Sequence, residues 1–353
     1  MQNPDGGVLT KVGLTDFSMA SPPSGHQGTR YYEEVCSSST ISAAGMFAHA
    51  ALVFADVDGL ASEADDLADR AINAWDWYQD NPIREDCDTL EIKAGDADLS
   101  IAEQGQAEVV AAVYLFALTG ESRFNAVVSR GYGSLNPFLE QSFHMYRPHQ
   151  GDALLYYREL RRSTARVRAQ IDSRIDELVD ESLLYGTPED DLYRSYLPNE
   201  AYHWGSNRVK ANVGFSNLRI DPGPVANERA GGHLHYFHGV NPLGLTYLTN
   251  MGALGGDFSV QRMHHYWFGK HSIFHVDNSS LTGIPPGYIV GGANGVYSGS
   301  ASPPSGQPVQ KSYRDFSDAG EPTWEVTEPA IYYQASYIRL LTEVMAANMT
   351  ETA

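Results

Sequence analysis

Cysteine is nearly missing from this chain: among 353 residues there are two, Cys36 and Cys87. That is too few for a disulfide framework, and neither sits in a CxxC or Cys/His pattern of the kind that holds zinc. They allow one bridge at most, and the sequence leaves the redox compartment open. Long apolar runs are missing as well. No stretch approaches the roughly 20 residues of a membrane-spanning helix. The opening Met1-Gln2-Asn3-Pro4-Asp5-Gly6-Gly7 reads as a turn, with no basic and apolar leader visible. Basic residues are scarce, 24 against 44 acidic, for a net charge of −20. That surplus disfavours nucleic acid and anionic membranes as partners and fits a neutral or cationic substrate.

What is plentiful is apolar and aromatic. Hydrophobic residues make up 42% of the chain, enough for a core, and 21 are Tyr. Most Tyr side chains pack between helices. Surplus Tyr and Trp also line sugar-binding clefts, where ring faces stack on pyranose faces and polar edges form hydrogen bonds.

Helical periodicity dominates. It predicts helices over about Ser38–Ala55, Ser62–Tyr78, Ala102–Leu118, Ser122–Ser129, Asp152–Leu160, Ser163–Leu184, Tyr202–Leu218, Ala226–Phe237 and Pro329–Ala347. The first two are separated by an Asp/Gly turn, and Asn81-Pro82 closes the second. Residues 83–99 form an acidic loop, and residues 241–322 a long aperiodic segment rich in Gly, Pro, Ser, His and aromatics. A loop that long inside one domain is usually functional or disordered, and its aromatic content favours function. The expectation is an all-α chain of about nine helices in antiparallel pairs, with no convincing strand and no second domain.

The last predicted helix carries the most telling group. Its entrance reads Thr323-Trp324-Glu325-Val326-Thr327-Glu328-Pro329-Ala330-Ile331-Tyr332-Tyr333. Pro329 has no amide hydrogen to lose in a first helical turn, so the helix is expected to start there. Glu328 then stands at the helix entrance among Trp324, Tyr332 and Tyr333. Partial desolvation there raises a carboxyl pKa and suits it to donate a proton. A plainer account is a first-turn Glu favoured by the helix dipole.

Other segments decide between these accounts. They are Met1–Val12; Tyr202-His203-Trp204-Gly205-Ser206-Asn207; Tyr236–Pro242 running on to Thr249; Met263-His264-His265-Tyr266-Trp267-Phe268-Gly269; Pro286-Gly287-Tyr288-Ile289-Val290-Gly291-Gly292-Ala293-Asn294; and Lys311–Asp315 leading to the Glu328 segment. In this order and spacing the set resembles glycoside hydrolase family 9, over essentially the whole chain. The most specific parts are MQNPDG, PGYIVGGAN and WEVTEPAIYYQA.

The resemblance implies an (α/α)6 barrel of helical hairpins acting on β-1,4-linked glucan by inversion, with Glu328 as general acid. Tyr333, at the place of the family's DYNA tyrosine, would support it by hydrogen bonding. The family's base is an Asp of a DAGD-type motif that precedes the MQNPDG segment, and no DAGD occurs in these residues. The implied module is therefore the C-terminal three-quarters of a barrel, lacking about three helices and the base. A β-sandwich often precedes this module in the bacterial branch. Asp315, at an acidic position of the family loop, is expected near the cleft with a structural role, and Asp152 and Asp277 rank below it as stand-in bases. His264 and His265 occupy the place of a sugar-contacting PHHR segment, with Tyr266 where its Arg would be. Trp267 is a candidate stacking platform, and Trp204 either lines the cleft or packs in the core. No cofactor is implied. Calcium is common in the family, but Gln106 and Ala107 replace the acidic pair of one recurrent site, and neutral side chains lack the anionic oxygens calcium prefers. A secreted or periplasmic location is implied by the substrate. Exo-β-glucosaminidase action on chitosan oligosaccharides is the alternative activity, and an inactive carbohydrate-binding remnant the alternative without chemistry.

Overall fold

The computed structural model describes residues 1–16, 25–93, 95–140, 142–180, 192–264 and 283–351. They fall into two compact units. The first takes in the described residues of Met1–Ser18, Gln27–Glu140 and Arg147–Arg174, the second those of Met19–His26, Gln141–Tyr146 and Ile175–Ala353.

In the first unit the opening residues form the expected turn. Gly6 N–H donates to the Asn3 carbonyl at 3.0 Å, and Gln2 Nε2 donates to the carbonyl of Arg70 at 2.9 Å. Two short strands, β1 (Val12–Gly13) and β2 (Tyr31–Tyr32), then pair antiparallel. Helix α1 (Ser37–Phe54) buries Ile41, Ala43, Ala44, Ala48 and Ala51. Helix α2 (Ala61–Asp80) buries Ala64, Ala71, Ala74, Trp75 and Tyr78, a three-to-four-residue spacing that makes one apolar face. Helix α3 (Ile101–Thr119) opens with a capping box between Ser100 and Glu103 and closes on Gly120 in the left-handed region. It packs on α1, on α4 (Ser122–Gly131) and, beyond the short α5 (Asn136–Leu139), on α6 (Pro148–Glu159). Helix α7 spans Ala165–Asp180.

The second unit centres on α8 (Ser206–Ile220), which lies against α9 (Pro224–Phe237) and the last helix. Strands β3 (Thr246–Thr249) and β4 (Ser259–Val260) pair in parallel. The chain ends in α10 (Trp324–Thr327) and α11 (Ile331–Glu351). Tyr202, Val209, Val213, Phe237, Tyr247, Ile289, Tyr333 and Leu340 share the core of this unit.

Among the described residues no helix is long and apolar enough to cross a membrane. The long predicted helices are present, with their ends displaced by a few residues. Helix α6 begins earlier than expected because Pro148 initiates it. The short elements were missed: the four strands and the four-residue helices α5 and α10 are too brief for a period to register.

Two links fasten the acidic loop. Cys36, just before α1, is bridged to Cys87, with Cα atoms 5.9 Å apart. Asp88 pairs with Lys11 at 2.7 Å, its side chain fully buried, and also accepts the N–H groups of Leu90 and Ala97. Asp98 accepts from the N–H groups of Cys87 and Asp88, both at 2.7 Å. Asp88 and Asp98 are thus internal acceptors of the acidic loop.

The bridge closes a 51-residue separation, worth about 4 kcal/mol in the chain-entropy model. Replacing both cysteines by serine is expected to lower the urea midpoint accordingly, and an unchanged midpoint would show that the bridge adds no stability. Burial pushes the Asp88 carboxyl up, but the Lys11 ammonium and the two N–H groups outweigh it and hold the group below 3.8. Its stabilisation is therefore present above the unfolded value and lost as pH falls through the lower folded one. Amide protection at Leu90 and Ala97 should drop below pH 3.8, and Lys11→Met should shift that loss to higher pH.

Candidate functional site

The site is built in the second unit around Glu328. The sequence places this residue at the entrance of a helix starting at Pro329; in the structure that helix starts two residues later, at Ile331. Glu328 stands in the link between α10 and α11, with φ −68° and ψ 133°. Pro329 is the reason: its ring disfavours a helical conformation in the preceding residue and pushes Glu328 extended. Its N–H closes α10 on the Trp324 carbonyl at 3.2 Å, and α11 begins only at Ile331, where Ala330 supplies the first accepting carbonyl to Tyr333 N–H at 3.0 Å. The carboxyl is thus presented at a break between two helices by a backbone held on both sides.

Trp204 reaches it from the start of α8. The indole Nε1–H donates to Glu328 Oε2 at 3.0 Å, and the ring is 48% exposed. Trp204 therefore lies at the site and is not a core residue. Gly205, the next residue, adopts φ +84°, and a Cβ there would come within 2.7 Å of the Tyr333 hydroxyl. Only glycine combines that turn with that contact. Tyr333 is buried, its ring edge-on to Tyr332 at 4.7 Å. Burial, then the neighbouring Tyr332 and the Glu328 charge, push its phenol well above the ordinary tyrosine value.

His264 approaches from the long loop. Its N–H donates to the Thr327 carbonyl at 3.2 Å, its Nδ1 lies 3.0 Å from Thr323 Oγ1, and its ring meets Trp324 edge-on at 5.4 Å. Asp315 sets the root of that loop: its two oxygens accept the N–H groups of Gln261 and Arg262 at 2.7 and 2.9 Å. Burial raises its pKa against the opposing pull of those N–H groups and of Arg262. His265, Trp267 and Asp277 lie outside the described residues. Asp152 belongs to the first unit, where it lines a cavity of about 430 Å³ with His49, Glu103 and Arg147.

The sequence did not reveal how the PGYIVGGAN segment is held. Gln334 grips Ile289 twice, accepting its N–H at 2.9 Å and donating to its carbonyl at 2.7 Å. Asn207 donates to the Val290 carbonyl from its side chain and to the Gly291 carbonyl from its backbone. Gly292 N–H donates to the Val326 carbonyl at 3.0 Å, two residues before Glu328. Two further glutamates of the same stretch were also missed. Glu325 is buried and accepts from Asn294 Nδ2, Ser298 N–H and Ser298 Oγ. Glu321 accepts from Tyr297, Ser300 and Ala301, and those donors, Ser300 first, hold its carboxyl below the usual value. Their spacing of four was the available signal.

Gly205→Ala is expected to cost about 2–3 kcal/mol, from the left-handed backbone and the Tyr333 contact together. A urea midpoint unchanged from the parent would show that neither constraint operates.

The model of glycosyl hydrolase family 9 matches residues 1–341. Comparison with curated protein sequences gives no match. Among solved structures, a single mutant of a thermostable endoglucanase from Alicyclobacillus acidocaldarius is similar at a TM-score of 0.80 and 22% identity, over 97% of this chain and 62% of that one. A metagenome-derived family 9 endoglucanase gives 0.77 and 24%, over 98% and 59%. The endoglucanase of the termite Nasutitermes takasagoensis gives 0.68 and 17%, over 96% and 73%. The chain thus spans about three-fifths of the first two. Likeness at such identities establishes the fold, the all-α (α/α)6 type expected from the sequence. With the family model matched over nearly its whole length, this chain belongs to glycosyl hydrolase family 9.

Proposed function

We propose that residues 1–353 belong to one catalytic module that hydrolyses β-1,4-linked glucan by inversion, with Glu328 as the proton donor. The observation that carries this reading is the presentation of Glu328: a carboxyl at a helix break, hydrogen-bonded by an exposed tryptophan, in a family 9 chain. A substrate of this type gains support from AaCel9A, a protein of the same fold described in complex with cellobiose-like isofagomine.

In this mechanism Glu328 gives its proton to the glycosidic oxygen as the anomeric carbon–oxygen bond breaks, and the bonding pair stays with the leaving sugar. A second carboxylate takes a proton from water, which attacks the opposite face of the anomeric carbon. Inversion needs the two carboxyl groups roughly 6.5–9.5 Å apart, leaving room for the water. Asp315 is assigned a structural role, its two oxygens accepting the N–H groups of Gln261 and Arg262. It orders the loop that carries His264. Trp204 offers its exposed ring face to a sugar, and Trp267 is assigned a second stacking face. His264 and His265 contact sugar hydroxyls, and Tyr333 supports Glu328 by hydrogen bonding, as the family's DYNA tyrosine does. The Cys36–Cys87 bridge favours an oxidising compartment, secreted or periplasmic.

The test is reducing-sugar release from barley glucan and carboxymethyl cellulose, set against cleavage of chitobiose. In a protein that also carries the family's DAGD-type base, release from the glucans is expected, with Glu328→Gln lowering turnover by about 10²-fold or more while cellotetraose binding is kept. Turnover on the amino sugar alone would favour an exo-β-glucosaminidase. Binding without any hydrolysis would favour a carbohydrate-binding remnant. Wild-type turnover in Glu328→Gln would remove Glu328 from the role.

A further inference from the structure

Glu328 Oε2 faces a group that can only donate. The indole Nε1–H of Trp204 lies 3.0 Å from it, and an indole nitrogen offers no acceptor. A protonated carboxyl accepts best at its carbonyl oxygen, while its hydroxyl oxygen carries the proton. The contact is therefore strongest when Oε2 is the carbonyl oxygen and the proton sits on Oε1. We propose that Trp204 is a positioning residue for the proton donor: its indole N–H holds Glu328 Oε2 and so places the transferable proton on Oε1. The inference rests on Glu328 being that donor.

Both partners stand on backbone segments held by hydrogen bonds. On the Trp204 side, His203 Nδ1 lies 3.0 Å from the Trp204 carbonyl, and the His203 ring stacks on Tyr146 at 5.9 Å. Ser206 N–H returns to the His203 carbonyl at 2.9 Å, and Gly205 is wedged against Tyr333. On the Glu328 side, Pro329 keeps the backbone extended and α10 closes on its N–H. Trp204 is 48% exposed, so the same residue can meet a sugar while its indole N–H orients the acid. After the proton on Oε1 has passed to the glycosidic oxygen, Glu328 is left as a carboxylate, and the same N–H stabilises the charge as a charge-assisted hydrogen bond.

Among the described residues, the titratable or charged groups on the segments next to the pair include His203, Arg208, His264, Glu325, Tyr332 and Tyr333. Trp204→Phe leaves all six in place, so they form a constant background for the test.

The experiment follows tryptophan indole N–H resonances in 15N-labelled protein as a function of pH. The chain has five tryptophans, and Trp204→Phe deletes one peak and so assigns it. That peak is expected to move downfield in a single step as the carboxyl ionises. In Glu328→Gln it should persist and lose the step. A Trp204 peak that does not titrate, or that titrates alike in Glu328→Gln, overturns the proposal. Kinetics give a second readout. A donor to the ionised form favours ionisation, so its loss in Trp204→Phe should carry the basic limb of the kcat/KM profile to higher pH. A profile that is lowered without moving would mean that Trp204 only stacks, and would also overturn it. The spectroscopic arm needs no turnover. A titrating peak in a protein without hydrolysis leaves the contact standing and sinks the enzyme reading, and an active enzyme with a silent peak does the reverse.

Discussion

The second unit depends on satisfying the backbone of residues 289–295. Ile289, Val290 and Ala293 are fully buried, yet the stretch belongs to no extended sheet or helix. Buried peptide groups without partners would each cost on the order of 1–3 kcal/mol. Here the partners come from two directions. Asn207 and Ser206, at the start of α8, take the carbonyls of Val290, Gly291 and Ala293. Gln334 on α11 takes both polar groups of Ile289, and the Val326 carbonyl takes Gly292 N–H. The segment is thereby a peg between the start of α8, just after Trp204, and the turn that carries Glu328. Gly292 is required where the fit is tightest: its φ is +92°, and a Cβ would come within 2.4 Å of the Asn207 side chain.

This dependence explains which parts of the site were legible in the sequence. Long elements were plain, because α2 and α3 repeat their apolar positions over many turns. Glu328 was found because a proline, three aromatics and an ordered set of loop motifs surround it. Its place ahead of the helix was legible too, but the helix start was not: α11 begins at Ile331, two residues beyond Pro329. The partners of Asn207, Gln334 and Asp315 were beyond reach for a different reason. Each acts on backbone groups 45 to 83 residues away, and no local pattern in a single sequence encodes such pairings. The long segment 241–322 was rightly read as aperiodic, and much of its described part owes its order to these side chains.

Trp204 shows how one residue can resolve two readings that the sequence left open. An aromatic after Tyr202 at a helix start could have been core or cleft. Tyr202 became the core residue, buried with Tyr236 and Tyr247, while the left-handed Gly205 turned its neighbour outward. Reversal of direction within three residues is a backbone effect, so composition and periodicity could not anticipate it.

Three glutamates in eight residues, Glu321, Glu325 and Glu328, share a residue type and a neighbourhood but differ in their donors. Glu321 and Glu325 are surrounded by hydroxyls and backbone N–H groups from residues 294–301 and are used up in holding that loop. Glu328 is met by the indole of Trp204 instead. The two structural glutamates serve it indirectly, because they fix the loop against which α10 is folded and so determine where the break before Pro329 falls.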